Sequence, residues 1–159
     1  MSGKLQQELK KKKPFDALEE EAILNLFRTH DQLQIHFTRL FREYGLTSSQ
    51  YNVLRILRGE GQPTKCMDIA ERTITVVPGI TGLIDRLEQA ALVRRDRSAD
   101  DRREVFVSIT SKALDVLARL DGPLLALHRR LLGHLTPPEL HELTRMLEKA
   151  RHGPDQGHD

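Results

Sequence analysis

At 159 residues, 38% hydrophobic and 30% charged, the chain has the size of one domain and too many charges for a membrane protein. No stretch approaches the roughly 18 consecutive apolar residues of a spanning helix. The net charge of +2, from 25 basic and 23 acidic residues, gives no global argument for a nucleic-acid partner. A lone cysteine, Cys66, excludes an internal disulfide framework and suits a reducing cytoplasm.

The opening MSGKLQQELKKKKPF has lysines with no apolar run behind them and does not read as a signal peptide. Residues 1–15 are expected to form a basic flexible arm, either solvated or touching phosphate or a partner subunit. Asp16 is placed to cap a helix over residues 16–44, with Gly45 as its stop. Ile23, Phe27, His30, Leu33, Phe37, Leu40 and Tyr44 recur at helical spacing along it. At about 1.5 Å per residue it spans roughly 40 Å, more than a small domain covers alone, so part of it should meet another chain.

Thr47 and Gln50 form a capping box, with Leu46 and Tyr51 as the hydrophobic staple. Val53, Leu54 and Leu57 give that helix its core stripe, and Gly59 and Gly61 end it. A short helix carrying Met67, Ile69 and Ala70 follows Pro63. Thr75 starts another, to about residue 90, with Pro78 tolerated in its first turn and Ile80, Leu83, Ile84 and Leu87 buried. The period then becomes alternating. Leu92-Val93-Arg94-Arg95 opens one strand, and Val105, Val107 and Ile109 mark a second, with a polar hairpin tip between them. Thr110 caps a long helix with a stripe of Leu114, Leu117, Leu120, Leu124, Leu127 and Leu131, kinked at Gly122-Pro123. A second capping box, Thr136 with Glu139, opens a last helix through Leu140, Leu143, Leu147 and Ala150.

Two short helices joined by a tight turn and followed by a two-stranded hairpin describe a winged helix-turn-helix. The fold class is mainly α with a small β-hairpin wing. Such a module sets its second helix in the DNA major groove. Thr73, Thr75 and Thr81 offer hydroxyls there, Gly79 and Gly82 let the backbone approach closely, Pro78 faces away from the buried stripe, and Arg86 either adds a cation or pairs with Asp85 at the surface. The same threonines also serve as plain caps. In the wing, Arg94, Arg95, Arg97, Arg102 and Arg103 crowd beside Asp96, Asp100, Asp101 and Glu104. An arginine at a hairpin tip can enter a narrow minor groove, and Asp101 can aim it by a side-chain hydrogen bond. On charge alone the hairpin reads equally as a solvated surface.

The stretches LTSSQYNVLRILRG and MDIAERTITVVPGITGLIDRLEQAALVRRDRSADDRREVFVSIT resemble the MarR family of bacterial transcriptional regulators. The strongest points of likeness are Thr81-x-Leu83-x-x-x-Leu87-Glu88 and Asp101-Arg102-Arg103 running on to Ile109-Thr110. The chain departs from the family pattern where Ala91 and Ala113 replace common glycines. The resemblance implies residues 47–110 as the DNA-binding lobe, 75–90 as recognition helix, and Arg103 as the wing arginine positioned by Asp101. It also implies a homodimer through residues 16–45 and 111–152, within one domain over 16–152, followed by a tail over 153–159. Such proteins are commonly switched by small aromatic or phenolic ligands held between lobe and dimer helices. Here that junction draws on His30, Leu33, His36, Phe37, Tyr51, Leu54 and Arg55, although these residues also suit ordinary core packing.

Cys66, near a helix start beside Lys65, reads better as a small inert thiol than as an oxidant sensor. The seven histidines lack the spacing of a helical metal pair, so no metal or other cofactor is expected, nor is a catalytic site. The sequence therefore points to a cytoplasmic regulator, most simply a ligand-responsive repressor on a pseudo-palindromic operator in double-stranded DNA. The alternative is a winged-helix module that binds protein, supported by the near-neutral charge of residues 47–110.

Overall fold

The computed structural model describes residues 3–101 and 103–153. The chain divides into two compact units, residues 1–122 and 123–159. In the first, α1 (Lys4–Glu8) precedes α2 (Leu18–Glu43), α3 (Ser48–Glu60), β1 (Thr64–Lys65), α4 (Cys66–Glu71), α5 (Ile80–Gln89), β2 (Val93–Arg97) and β3 (Val105–Ile109). The α6 helix (Ser111–Leu132) continues from this unit into the second, which is completed by α7 (Pro137–Arg151). No described helix is long and apolar enough to cross a membrane.

The lobe that carries α3–α5 and the sheet closes over Val53, Leu54, Leu57, Ile69, Leu83, Ile84, Leu87, Leu92, Val93 and Val107, all buried. Each such aliphatic contributes about 1.5–3 kcal/mol of hydrophobic burial. The three strands run antiparallel in the order β1-β3-β2. Val93 pairs with Ile109 and Arg97 with Val105, while Thr64 faces Val107 and Lys65 faces Phe106. This makes a two-stranded wing with a short third strand at its base.

Both capping boxes form. The Gln50 N–H donates to Thr47 Oγ1 (3.1 Å), and the Thr47 N–H donates to Gln50 Oε1 (2.9 Å). The Glu139 carboxylate accepts from the Thr136 N–H at 2.7 Å. Gly61, at φ 65°, caps α3, whereas Gly59 lies inside that helix.

Several elements depart from expectation. Asp16 does not cap α2; Ala17 takes that position, and the Asp16 N–H instead donates to Glu20 Oε2 (2.8 Å). Residues 4–8 are helical, with Leu5 buried, inside the stretch read as an arm. The helix expected from Thr75 starts only at Ile80, so Thr75, Pro78 and Gly79 precede it. Proline disfavours the helical region for Val77, and Gly79 adopts φ 71°, so the chain enters the helix through a left-handed residue. Strand β1 escapes the pattern altogether, because two residues cannot show an alternation. Met67 is 67% exposed and outside the core. On α6 the buried positions are Ala113, Val116, Leu117, Leu120, Leu124 and Leu127; Leu114 is exposed and Leu131 half-buried. Pro123 lies within the helix without ending it.

Candidate nucleic-acid interface

Helix α5 buries Leu83, Ile84 and Leu87, and its C-terminal end is held from the start of α6. The Thr110 hydroxyl donates to the Ala91 carbonyl and Lys112 Nζ to the Ala90 carbonyl, each at 2.8 Å. A cation on free carbonyls at a helix C-terminus complements the helix dipole. Ala91 itself stands at φ 59°, the left-handed conformation that favours glycine.

The other end of α5 has no side-chain cap. Thr75, Pro78, Gly79, Thr81 and Arg86 are exposed, and Gly82 is half-buried with open space where a Cβ would stand. Thr73 is set apart from these, since its hydroxyl donates to the Ala70 carbonyl at 2.8 Å.

The wing tip is built by local hydrogen bonds. Ser98 Oγ accepts from the N–H groups of Asp100 (3.1 Å) and Asp101 (3.3 Å). Asp101 Oδ1 accepts from the backbone N–H of Arg103 at 2.9 Å, which differs from the expected grip on an arginine side chain. The carboxylate therefore shapes the turn from which the Arg103 side chain projects. Arg102 lies outside the described residues.

Pairing sorts the charges of this surface. Arg95 bridges Asp85 (2.6 Å) and Glu88 (3.0 Å), tying β2 to α5. The Arg95 N–H also donates to Glu88 Oε2 at 2.9 Å. These hydrogen bonds hold the Glu88 carboxyl below its ordinary value and push the Arg95 guanidinium above its own. Arg94 pairs with Asp96 at 3.0 Å. Lys65 pairs with Glu104, which raises the lysine's pKa, and its ammonium lies 5.8 Å from the centre of the Phe106 ring. Among the described residues, Arg86, Arg97 and Arg103 enter no ion pair. Five of the nine acids of residues 47–110 are thus engaged by cations of the same lobe, Glu60 by Arg72, Asp85 and Glu88 by Arg95, Asp96 by Arg94 and Glu104 by Lys65.

Sequence reasoning missed the Arg95–Asp85–Glu88 clamp and the Lys65–Glu104 anchor. Seven positions separate Glu88 from Arg95 across a turn, and no helical or strand spacing joins them. Lys65 reaches Glu104 only because β1 pairs with β3.

Residues assigned to an effector site lie on α2 and α3. Phe37 and Phe41 have ring centres 6.3 Å apart, and Phe41 stacks on Tyr51 at 4.4 Å and 17°. Phe41 is the ring that links the other two. Burial raises the Tyr51 pKa, against the opposing pull of Arg55 and Arg58. Leu54 is fully buried in the lobe core, Leu33 and His36 are half-buried, and His30 is exposed. Arg55 Nε and Asn52 Oδ1 are buried without a hydrogen-bond partner among the described residues. Nearby, Arg58 grips Asp121 with two hydrogen bonds of 2.9 Å, joining α3 to α6. Burial pushes the Cys66 thiol up, the direction opposite to an activated thiolate.

A recognition-type helix, a wing anchored to it and unpaired arginines beside both define the class of winged-helix DNA-binding proteins. The MarR family model matches residues 46–105. A solved MarR transcription factor from Planctomyces limnophilus is 41% identical, with 84% of this chain and 98% of that one covered at a TM-score of 0.66. The HTH-type transcriptional regulator MgrA of Staphylococcus aureus is 29% identical over 140 residues, 87% of this chain and 93% of its own length. The homoprotocatechuate degradative operon repressor of Escherichia coli is 25% identical over 124 residues, covering 78% and 83%. The chain belongs to the MarR family and is a DNA-binding transcriptional regulator.

Proposed function

We propose that the protein is a homodimeric repressor that reads a pseudo-palindromic operator with α5 in the major groove and the wing in the minor groove. The observation that carries this is the charge sorting, which leaves Arg86 on α5 and Arg97 and Arg103 on the wing without an ion pair among the described residues. Thr75, Pro78, Gly79, Thr81 and Gly82 allow close approach to bases and phosphates, and Arg94 serves as a weaker, partly neutralised cation. The role proposed for Asp101 is to set the turn that carries Arg103. The protein acts without catalysis, in the cytoplasm where its operator lies.

Dimerisation is supported by apolar side chains left uncovered in the single chain. Ile23, Leu26 and Phe27 are exposed on α2, and α7 buries none of its residues despite Leu143 and Met146. The effector proposed is a small aromatic or phenolic molecule, the class the family resemblance implies. Phe37, Phe41 and Tyr51 supply rings for stacking, while Arg55 and Asn52 bring buried polar atoms that lack partners. Leu33, His36 and Leu54 would border it, with His30 farther out. Because Phe41 and Tyr51 already stack, an aromatic ligand enters by separating them.

Selection from a random duplex library tests the operator reading. The expected product is an inverted repeat with half-site centres about 10–11 base pairs, or roughly 34–36 Å, apart. Recovery of unrelated sequences without dyad symmetry would contradict it.

A further inference from the structure

Resting on the DNA-binding reading above, we infer that Ile74 and Val76 read thymine methyl groups in the major groove. A scattered exposed aliphatic is ordinary on a protein surface. Here two β-branched side chains, 77% and 94% exposed, stand two positions apart in the loop that leads into the recognition helix. Neither supports the lobe core.

The chemistry of the rest of this segment points the same way. From Thr73 to the end of α5 the one Asn or Gln, the usual bidentate readers of adenine, is Gln89 at the C-terminal end of the helix, and Arg86 is the sole Lys or Arg. The Thr73 hydroxyl is spent on the Ala70 carbonyl, and Asp85 and Glu88 are held by Arg95. Gly79 and Gly82 have no side chains to offer. At the N-terminal end of the segment, hydrogen-bonding readout therefore falls to Thr75 and Thr81. The thymine C5-methyl is the apolar feature of the major-groove edge, and contact with it needs no polar partner. Ile74 and Val76 extend the α5 surface at its N-terminal end, the end through which such helices reach base edges.

The test uses the full-length protein and duplexes enriched from a random library. Each thymine of the best duplex is replaced singly by deoxyuridine, which removes only the methyl group, and affinity is measured by anisotropy. Wild-type protein is expected to lose about fourfold at one or more thymines per half-site, the equivalent of ~0.8 kcal/mol per buried methyl. Ile74→Ala and Val76→Ala should bind the thymine duplex more weakly, lose that dependence on the methyl, and keep the wild-type salt slope. Indifference of the wild type to every deoxyuridine, or full methyl dependence in both variants, would overturn the inference while leaving specific DNA binding intact. Failure to enrich any duplex would overturn the DNA-binding reading and the inference together.

Discussion

Arg95 and Arg97 stand two positions apart on β2, yet the structure gives them different work. Arg95 is spent on Asp85 and Glu88, whereas Arg97 enters no ion pair among the described residues. Removing a phosphate-contacting cation should lower affinity and reduce the slope of log affinity against log salt by about one. That outcome is expected for Arg97→Ala and for Arg103→Ala in anisotropy titrations, with melting temperature unchanged. Arg95→Gln should instead lower the melting temperature and blur discrimination between operator and scrambled DNA, because β2 loses its tie to α5. The clamp also has a pH signature. Glu88 is held below its ordinary value of 4.5, so its contribution is fully present above that range and is lost as pH falls through the lowered pKa. The difference in melting temperature between wild type and Glu88→Gln should be present at neutral pH and shrink on acidification. A constant difference across that range would contradict the clamp.

Among the elements, the hairpin joining α5 to β2 carries a visible cost. Ala91 holds a left-handed backbone that disfavours a Cβ by about 1–2 kcal/mol, and glycine would relieve it at some loss of chain entropy. Ala91→Gly is therefore expected to stabilise the protein by roughly 0.5–1 kcal/mol in urea unfolding; a destabilised variant would show the strain to be absent. The sequence likeness already marked this position as one where glycine is common, but its φ angle gives the physical reason. Legibility followed the range of the interactions. Both capping boxes were readable because their partners lie three residues apart, and the Val105, Val107, Ile109 alternation located β3. The true start of α5 was not, since Thr75 to Pro78 resembles a helix N-terminus and only the conformation of Gly79 shows the chain still turning. The wing anchor through Lys65 depends on a two-residue strand, which leaves no pattern.

For the whole molecule, formal charge was the least informative quantity in the sequence. Ten basic and nine acidic residues over 47–110 count as nearly neutral, yet Asp85, Glu88, Asp96 and Glu104 are each engaged by a cation, while Arg86, Arg97 and Arg103 enter no ion pair among the described residues. The overlong apolar helices were a better guide. Phe27 on α2 is 68% exposed, and α7 buries none of its residues. Sedimentation should give twice the chain mass of 18.2 kDa, and Leu143→Asp or Phe27→Asp should shift the protein toward monomer and weaken operator binding together. A stable monomer with undiminished operator affinity would contradict the dimeric account.

Specific binding to double-stranded DNA through the α5–wing surface is the central claim, and one titration addresses it most directly. Fluorescence anisotropy would compare wild type with the Arg86/Arg97/Arg103→Ala triple variant on DNA flanking the protein's own gene and on library-selected duplex. Each would be measured across salt and against scrambled competitor. Tight binding that resists competitor, with a steep salt slope that the triple variant flattens by about three per chain, is the predicted result. Equal removal of both proteins by scrambled DNA, or a slope the three arginines do not alter, would contradict it.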